Sequence, residues 1–281
     1  MPKLEIFDES FDPDRFQSYE LSIQASLSGF SFCVKDVVRN LFVGLASLPI
    51  EGTGHINGDW QPEVRSICNA YRWMCGELHR VSICFESPVY TFVPESLFDP
   101  NRAKQLLNLV HPMNDMDEVR YNKLPDGTVC IFALPSMLAC EWLRANPKVH
   151  FLAQAEPLIA YNRFVSGSEA VTISALVAPK ISTFALTQHS KLLYSSSQPA
   201  ETPEDTAYHL LSICKGLGIT PNQVPVNLLG FSNSWEQHES ILSRYFGGVK
   251  PYHSPTNLHY TYQITKHKLR FASLFIQSIC E

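Results

Sequence analysis

Leu21-Ser22-Ile23-Gln24-Ala25-Ser26-Leu27-Ser28-Gly29-Phe30-Ser31-Phe32-Cys33-Val34 is the stretch that decides the fold. Leu21, Ile23, Ala25 and Leu27 alternate with Ser22, Gln24 and Ser26, the period of a strand with one apolar face. Ser28-Gly29 is a tight-turn pair, and Phe30, Phe32 and Val34 resume the alternation on the far side. After Arg39-Asn40, residues 41–48 read as a third strand. Three short strands joined by short turns specify an antiparallel meander.

Downstream, Gly52, Gly54 and Gly58 mark a connection, and Asp59 is a suitable helix N-cap. Val64, Ile67, Cys68, Tyr71, Met74, Cys75 and Leu78 then recur at helical spacing, which predicts one amphipathic helix. A strand over 81–85 follows. The middle of the chain predicts a strand at 89–93, a helix at 100–110 and a hairpin turning at Asp126-Gly127. A helix at 135–145, a strand at 149–151 and a helix at 156–164 complete the half. Upstream, the first dozen residues are acidic and loop-like. Phe7, Phe11 and Phe16 in this arm are expected to pack on the protein itself, because exposed aromatic surface is costly.

The second half repeats the order. Residues 170–178, 181–187 and 191–195 read as three strands. Thr202-Pro203-Glu204-Asp205 is a helix start, with Thr at N-cap, Pro at N1 and an acid at N3. Ala207, Leu210, Leu211, Cys214 and Leu217 supply the buried face, and Gly218 the left-handed cap. A strand at 226–229, a helix from Ser234 to Phe246 and a helical tail bearing Phe271, Leu274, Phe275 and Ile279 follow. Both halves thus read as meander, capped helix, strand, helix. Residue identity between them is low, so the repeat is one of pattern, as duplicated lobes would give. The expected division is an acidic arm (1–18), a first lobe (19–166) and a second lobe (167–281), joined near Ser166-Gly167-Ser168.

The whole-chain properties agree with this plan. A length of 281 residues suggests two domains at about 150 residues each. A net charge of −5 argues against a general nucleic-acid or anionic-membrane binder. Glu5, Asp8, Glu9, Asp12 and Asp14 are the opposite of a basic leader segment, and no run approaches the roughly 18 apolar residues of a membrane span. A cytoplasmic location is the expectation. The eight cysteines form no Cys-x-x-Cys pair and lie mostly in apolar segments, so they read as buried reduced thiols rather than disulfides or zinc ligands.

Three antiparallel strands followed by helix, strand and helix, used twice, resemble the actin-like ATPase fold. The run Leu21–Val34, together with Phe184-Ala185-Leu186-Thr187-Gln188-His189-Ser190-Lys191-Leu192-Leu193-Tyr194, is also similar to a bacterial family of unknown function seen mainly in Bacteroidetes. The resemblance covers nearly the whole chain. It implies an α/β protein of two actin-like (ribonuclease H-like) lobes, each a mixed sheet with an antiparallel three-strand meander flanked by helices. It brings no established activity. An actin-like ATPase carries Asp-x-Gly in its first hairpin, where the carboxylate organises the magnesium-bound waters and small residues let amides reach phosphate. The matching turn here is Ser26-Leu27-Ser28-Gly29-Phe30, with one glycine and no carboxylate. The second hairpin, normally Asp-x-Gly-Gly, is Leu176-Val177-Ala178-Pro179-Lys180, whose proline removes an amide donor. Gly230 and Gly247-Gly248 are the candidates for an adenosine-side loop.

No Walker A loop, Gly-x-Gly-x-x-Gly fingerprint or Gly-x-Ser-x-Gly elbow is present in the sequence. Asn114, Asp115, Asp117 and Glu118 are dense in oxygen ligands but lack the sharp-turn glycine of a cation loop, so they read as a solvated loop. His253, His259 and His267 with Lys250, Lys266, Lys268 and Arg270 make the C-terminal region basic, and a solvated face is the simpler reading. The expectation is a protein of actin-like fold without catalysis, acting as a scaffold or partner-binding protein, with no catalytic or metal-binding residues and no resident cofactor. An ATP-binding or ATP-hydrolysing protein with non-standard phosphate contacts is the alternative, although no motif supports ATP or magnesium. A small-molecule binder that uses a cleft between lobes is a third reading. Ser28, Gly29 and Lys180 are the candidate contacts for whatever such a cleft binds.

Overall fold

A computed structural model describes residues 3–26, 29–49, 60–166, 171–230 and 234–280. The expected N-cap Asp59, the glycines at 52, 54 and 58, the turn residues Leu27 and Ser28, and Gly167-Ser168 lie outside the described residues. Contacts divide the chain into two compact units, Met1–Ala153 with Asn257–Thr265, and Gln154–Thr256 with Lys266–Cys280.

The first unit opens with β1 (Leu4–Phe7), where the sequence predicts a loop. The meander follows as β2 (Tyr19–Ser26), β3 (Gly29–Asp36) and β4 (Leu41–Pro49). Helix α1 (Gln61–Ala70) leads to β5 (Arg80–Phe85), which runs parallel to β2. A side sheet is built from β6 (Tyr90–Pro94), α2 (Ala103–Asn108), β7 (Asp117–Lys123) and β8 (Thr128–Pro135). Its strand order is β6-β8-β7, and the β7–β8 hairpin turns at the predicted Asp126-Gly127. Helix α3 (Ser136–Ala145) and β9 (His150–Ala153), parallel to β5, complete the main sheet in the order β1-β4-β3-β2-β5-β9.

The second unit has α4 (Ala155–Val165), then the meander β10 (Val171–Val177), β11 (Ile181–Gln188) and β12 (Lys191–Pro199). Helix α5 (Pro203–Leu217), β13 (Val226–Gly230), α6 (Trp235–Leu242) and β14 (Val249–Pro251) follow. The chain then returns to the first unit, where β15 (His259–Tyr260) pairs with β4 and α7 (Tyr262–Thr265) packs beside it. Helix α8 (Ala272–Ile276) belongs to the second unit. That unit's sheet has the order β12-β11-β10-β13-β14, with β13 and β14 parallel to β10. Both main sheets therefore place meander strands three, two and one beside two further parallel strands.

The alternation in β2 reads as one dry and one wet face, yet the structure buries both. Tyr19, Leu21, Ile23 and Ala25 are at most 1% exposed, and Ser22 on the other face is 3% exposed. A central strand with a parallel neighbour is covered on both sides, so its small polar residues are buried too. Ser82 on β5 bonds Ser22 across the pair, hydroxyl to hydroxyl, at 3.4 Å.

The helix predicted to run to Leu78 stops at Ala70. Tyr71 takes non-helical dihedrals (φ −124°, ψ 70°), and a 3-10 turn spans Arg72–Cys75. Tertiary contacts override the periodicity here. Tyr71 packs edge-on to Phe32 at 5.0 Å between ring centroids, and its hydroxyl donates to Glu5 at 3.0 Å. Trp73 meets Phe11 at 5.3 Å, and Phe11 stacks on Tyr19 at 5.4 Å. The phenylalanines of the acidic arm thus pack on their own unit, as the cost of exposed aromatics requires.

In the second unit the helix start is as read. Thr202 Oγ1 accepts from the Asp205 amide at 3.1 Å, and Asp205 Oδ2 accepts from the Thr202 amide at 2.9 Å. Gly218 closes α5 in the left-handed conformation, φ 68°. The core below α5 and α6 joins Ile173, Phe184, Leu186, Leu210, Val226, Leu228 and Phe246.

Candidate functional site

In open α/β sheets, ligands gather at the carboxyl ends of the parallel strands, where neighbouring loops diverge. In the first unit that end is formed by Ser26 on β2 and by Glu86, the residue after β5. The parallel register that pairs Ala25 with Phe85 brings Glu86 beside Ser26, and the Glu86 amide donates to the Ala25 carbonyl at 2.9 Å. Gln24 reaches the same carboxyl, its Nε2 donating to Glu86 Oε1. The local sequence of the first hairpin lacks a carboxylate, but the strand pairing delivers one from 60 positions downstream of Ser26. No local pattern could have shown it, because the signal is a register between separate strands.

Glu86 is half-buried, and its environment decides what the carboxyl can do. Desolvation pushes its pKa up, against hydrogen bonds from Gln24 and Ser26 that pull it down. The hydroxyl proton of Ser26 also has a second acceptor, the Gly29 carbonyl at 3.2 Å. A hydroxyl donates only once. A hydrogen bond from Ser26 to one of these acceptors is not available to the other, and desolvation leaves the Glu86 carboxyl above its ordinary value.

The sign of the linkage follows. A raised carboxyl pKa means the folded state holds more protons than the unfolded chain above the ordinary glutamate value of 4.5. The contribution to stability is full below that value and is lost as pH rises through the folded pKa. Replacing Glu86→Gln removes the penalty while keeping an amide in the same volume. The variant should melt above the parent at pH 7, with the gap closing toward pH 4, in paired thermal unfolding at the two values.

Of the sequence candidates, Ser28 lies outside the described residues. Gly29 lies in the first unit and Lys180 in the second, and each has its own local setting. Gly29 faces β4, where a side chain would strike the Leu48 carbonyl oxygen at 2.3 Å. Its glycine is explained by that approach. Lys180 is exposed in the β10–β11 turn. Within this turn the Ala178 amide donates to the Ile181 carbonyl at 3.2 Å, Pro179 has no amide proton, and the Lys180 carbonyl accepts from Ala200 at 3.0 Å. A phosphate cradle needs amides aimed outward, whereas this turn spends one on itself and lacks another.

Of the proposed adenosine-side glycines, Gly230 and Gly247 have packing roles, whereas a Cβ at Gly248 would meet nothing within 4 Å. Gly230 ends β13 at φ +98°, and a Cβ there would meet the Val177 carbonyl oxygen at 2.3 Å. The Gly247 amide donates to the carbonyls of Pro221 and Val224 at 3.2 and 3.0 Å. In the acidic stretch, Glu118 pairs with Arg120 at 2.6 Å, and burial pushes the Asp117 carboxyl up. No group of three or more metal-ligating side chains occurs among the described residues. Among the C-terminal cations, Arg270 lies over the Phe271 ring at 5.1 Å. No helix among the described residues is long and apolar enough to cross a membrane.

Comparison with known structures gives the same plan. A crystal structure from Bacteroides thetaiotaomicron VPI-5482, described as a protein with actin-like ATPase fold and unknown function, superposes with a TM-score of 0.80. It is 20% identical, covering 96% of this chain and 99% of that one. A chain of the PilM–PilN type IV pilus biogenesis complex matches at TM-score 0.63 and 11% identity, over 94% of this chain and 99% of that one. The ethanolamine utilization protein EutJ from Carboxydothermus hydrogenoformans matches at TM-score 0.50 and 10% identity, over 98% and 93%. At these identities the likeness establishes the fold alone. No curated protein sequence matches the chain. The model of the DUF3822 family, described as a protein of unknown function, matches residues 8–249, and the chain belongs to that family.

Proposed function

We propose that this chain is a non-catalytic protein of actin-like fold, two related lobes acting as a scaffold or partner-binding protein. The observation that carries this reading is the β10–β11 turn. Its Ala178 amide is closed onto Ile181 and its Pro179 has no amide to give, so it offers triphosphate little of the usual cradle. The desolvation that raises the Glu86 carboxyl supports the same reading, because the charged carboxylate that would face magnesium is disfavoured there. The recurrence of one strand order in both main sheets supports the duplicated-lobe plan. A neighbour of the same fold belongs to a pilus biogenesis complex, which makes assembly a use this fold is put to. In this reading Gly29 is a packing glycine and Lys180 a solvated turn lysine.

The second reading is an ATP-binding protein with unorthodox contacts, and one observation favours it: Glu86 stands where the first hairpin lacks its own carboxylate. Isothermal titration of the full chain with Mg-ATP and Mg-ADP separates the two. The scaffold reading predicts no saturable heat at millimolar nucleotide. Saturable binding that is lost in Glu86→Gln would replace it with the ATP reading.

A further inference from the structure

Strand β1 ends the first unit's main sheet, paired with β4 on one side and with no strand on the other among the described residues. One hydrogen bond fixes which of its backbone groups face outward. The Asp8 amide donates to the Val43 carbonyl at 2.9 Å, continuing the antiparallel register that pairs Phe7 with Gly44. In such a ladder, residues that bond their partner alternate with residues that do not. Leu4 and Ile6 therefore bond inward, to Ser47 and Leu45, and the amides and carbonyls of Glu5 and Phe7 point away from β4. Glu5 is exposed, and Leu4, Ile6 and Phe7 are half-buried. An edge with outward amides and carbonyls is a template for a further strand.

We propose that two copies of this chain pair through β1, antiparallel about a two-fold axis at Ile6, so that the main sheet continues from one copy into the other. The strand is complementary to itself in this register. The outward groups of Glu5 in each copy meet those of Phe7 in the other, amide to carbonyl and carbonyl to amide, and Ile6 packs against Ile6. Lys3 and Glu9 are both exposed, and the same axis sets Lys3 of each copy opposite Glu9 of the other. Opposite charges across a strand pair stabilise it, and like charges directly opposed destabilise it. An axis one residue earlier would set the two Glu5 carboxylates against each other, and one residue later would set Glu5 against Glu9 twice. Charge thus selects the centre at Ile6. The contact is isologous, so it closes at two copies and leaves no second β1 edge open. Two four-residue strands make a small interface, so the dimer is a weak one.

This pairing does not depend on the scaffold reading. Sedimentation equilibrium of the full chain tests it, with dimer expected at about 100 μM and monomer on dilution to about 1 μM. Glu9→Lys changes an exposed turn residue and sets like charges at both ends, so it should weaken the dimer at least about tenfold. Lys3→Glu combined with Glu9→Lys returns opposite charges to both ends and should return the dissociation constant to within about threefold of the parent's. Glu5→Pro removes an outward amide that β4 does not use, a change that sheet edges accept, and should leave a monomer with the parent's circular dichroism. A parent that is monomeric at about 100 μM would overturn the proposal. A dimer that survives Glu9→Lys undiminished would overturn it too, as would a charge swap that stays monomeric. The charge swap decides the matter even where Glu5→Pro perturbs the fold.

Discussion

Alanine at Gly29 is expected to lower stability by about 3 kcal/mol or more, because strain and collision act together. Gly29 begins β3 at φ +149°, a region L side chains rarely adopt, and its register partner is Pro49 on β4. A Cβ would lie 2.3 Å from the Leu48 carbonyl oxygen and 3.0 Å from the Pro49 Cα. Both are backbone atoms, so no side-chain rotation relieves them, and the first hairpin must shift against β4. Thermal unfolding of Gly29→Ala beside the parent reads the effect. An unchanged midpoint would mean that β4 does not crowd this position, and would return Gly29 to the residues kept for a ligand.

Asp36→Ala should lose about 3 kcal/mol at neutral pH, on the scale of hydrogen bonds to a charged group. Asp36 ends β3 with its side chain fully buried. Oδ1 accepts from the amides of Val38 and Arg39 at 2.9 and 3.0 Å, and Oδ2 accepts from Arg39 Nε at 2.7 Å. The same guanidinium donates to the Ser10 carbonyl at 2.9 Å, so the aspartate also steadies the segment leading into β2. Burial pushes the Asp36 carboxyl up, but the bonds from Arg39 and Val38 outweigh it and leave the pKa below 3.8. The unfolded chain therefore binds more protons than the folded one just below that value. The advantage of the parent over the alanine variant is full above pH 3.8 and is lost as pH falls through the folded pKa. Equal stabilities at pH 7, or a gap that widens toward acid, would contradict this account.

The meanders were legible because residues 21–34 alternate apolar and polar about a turn pair and residues 181–194 are two short strand-forming runs about another, although the structure covers both faces of the central strands. The start and stop of α5 were legible because a capping box and a left-handed glycine are local devices. The end of α1 was not. Its apolar row continues to Leu78, yet Phe7 and Phe32 pack on Tyr71 and Phe11 on Trp73, drawing the chain out of the helix, and these phenylalanines come from distant parts of the sequence. The strand β1 was hidden by its acids: Glu5 and its neighbours look like loop, but an edge strand tolerates polar residues on its open side. The candidate site divides in the same way. The two hairpin turns that the resemblance likens to phosphate turns could be read directly, because each is five consecutive residues. Glu86 could not, since it depends on the register of β2 with β5.

The central claim is that the fold has kept its frame and given up its nucleotide. Thermal unfolding of the full chain in millimolar Mg-ATP tests this most directly, with Mg-AMP as the comparison. A ligand at 100 times its dissociation constant stabilises the folded state by about 2.7 kcal/mol, a shift of several degrees for a chain of this size. The account predicts the same midpoint with and without Mg-ATP. A rise of several degrees in Mg-ATP that Mg-AMP does not reproduce would contradict it.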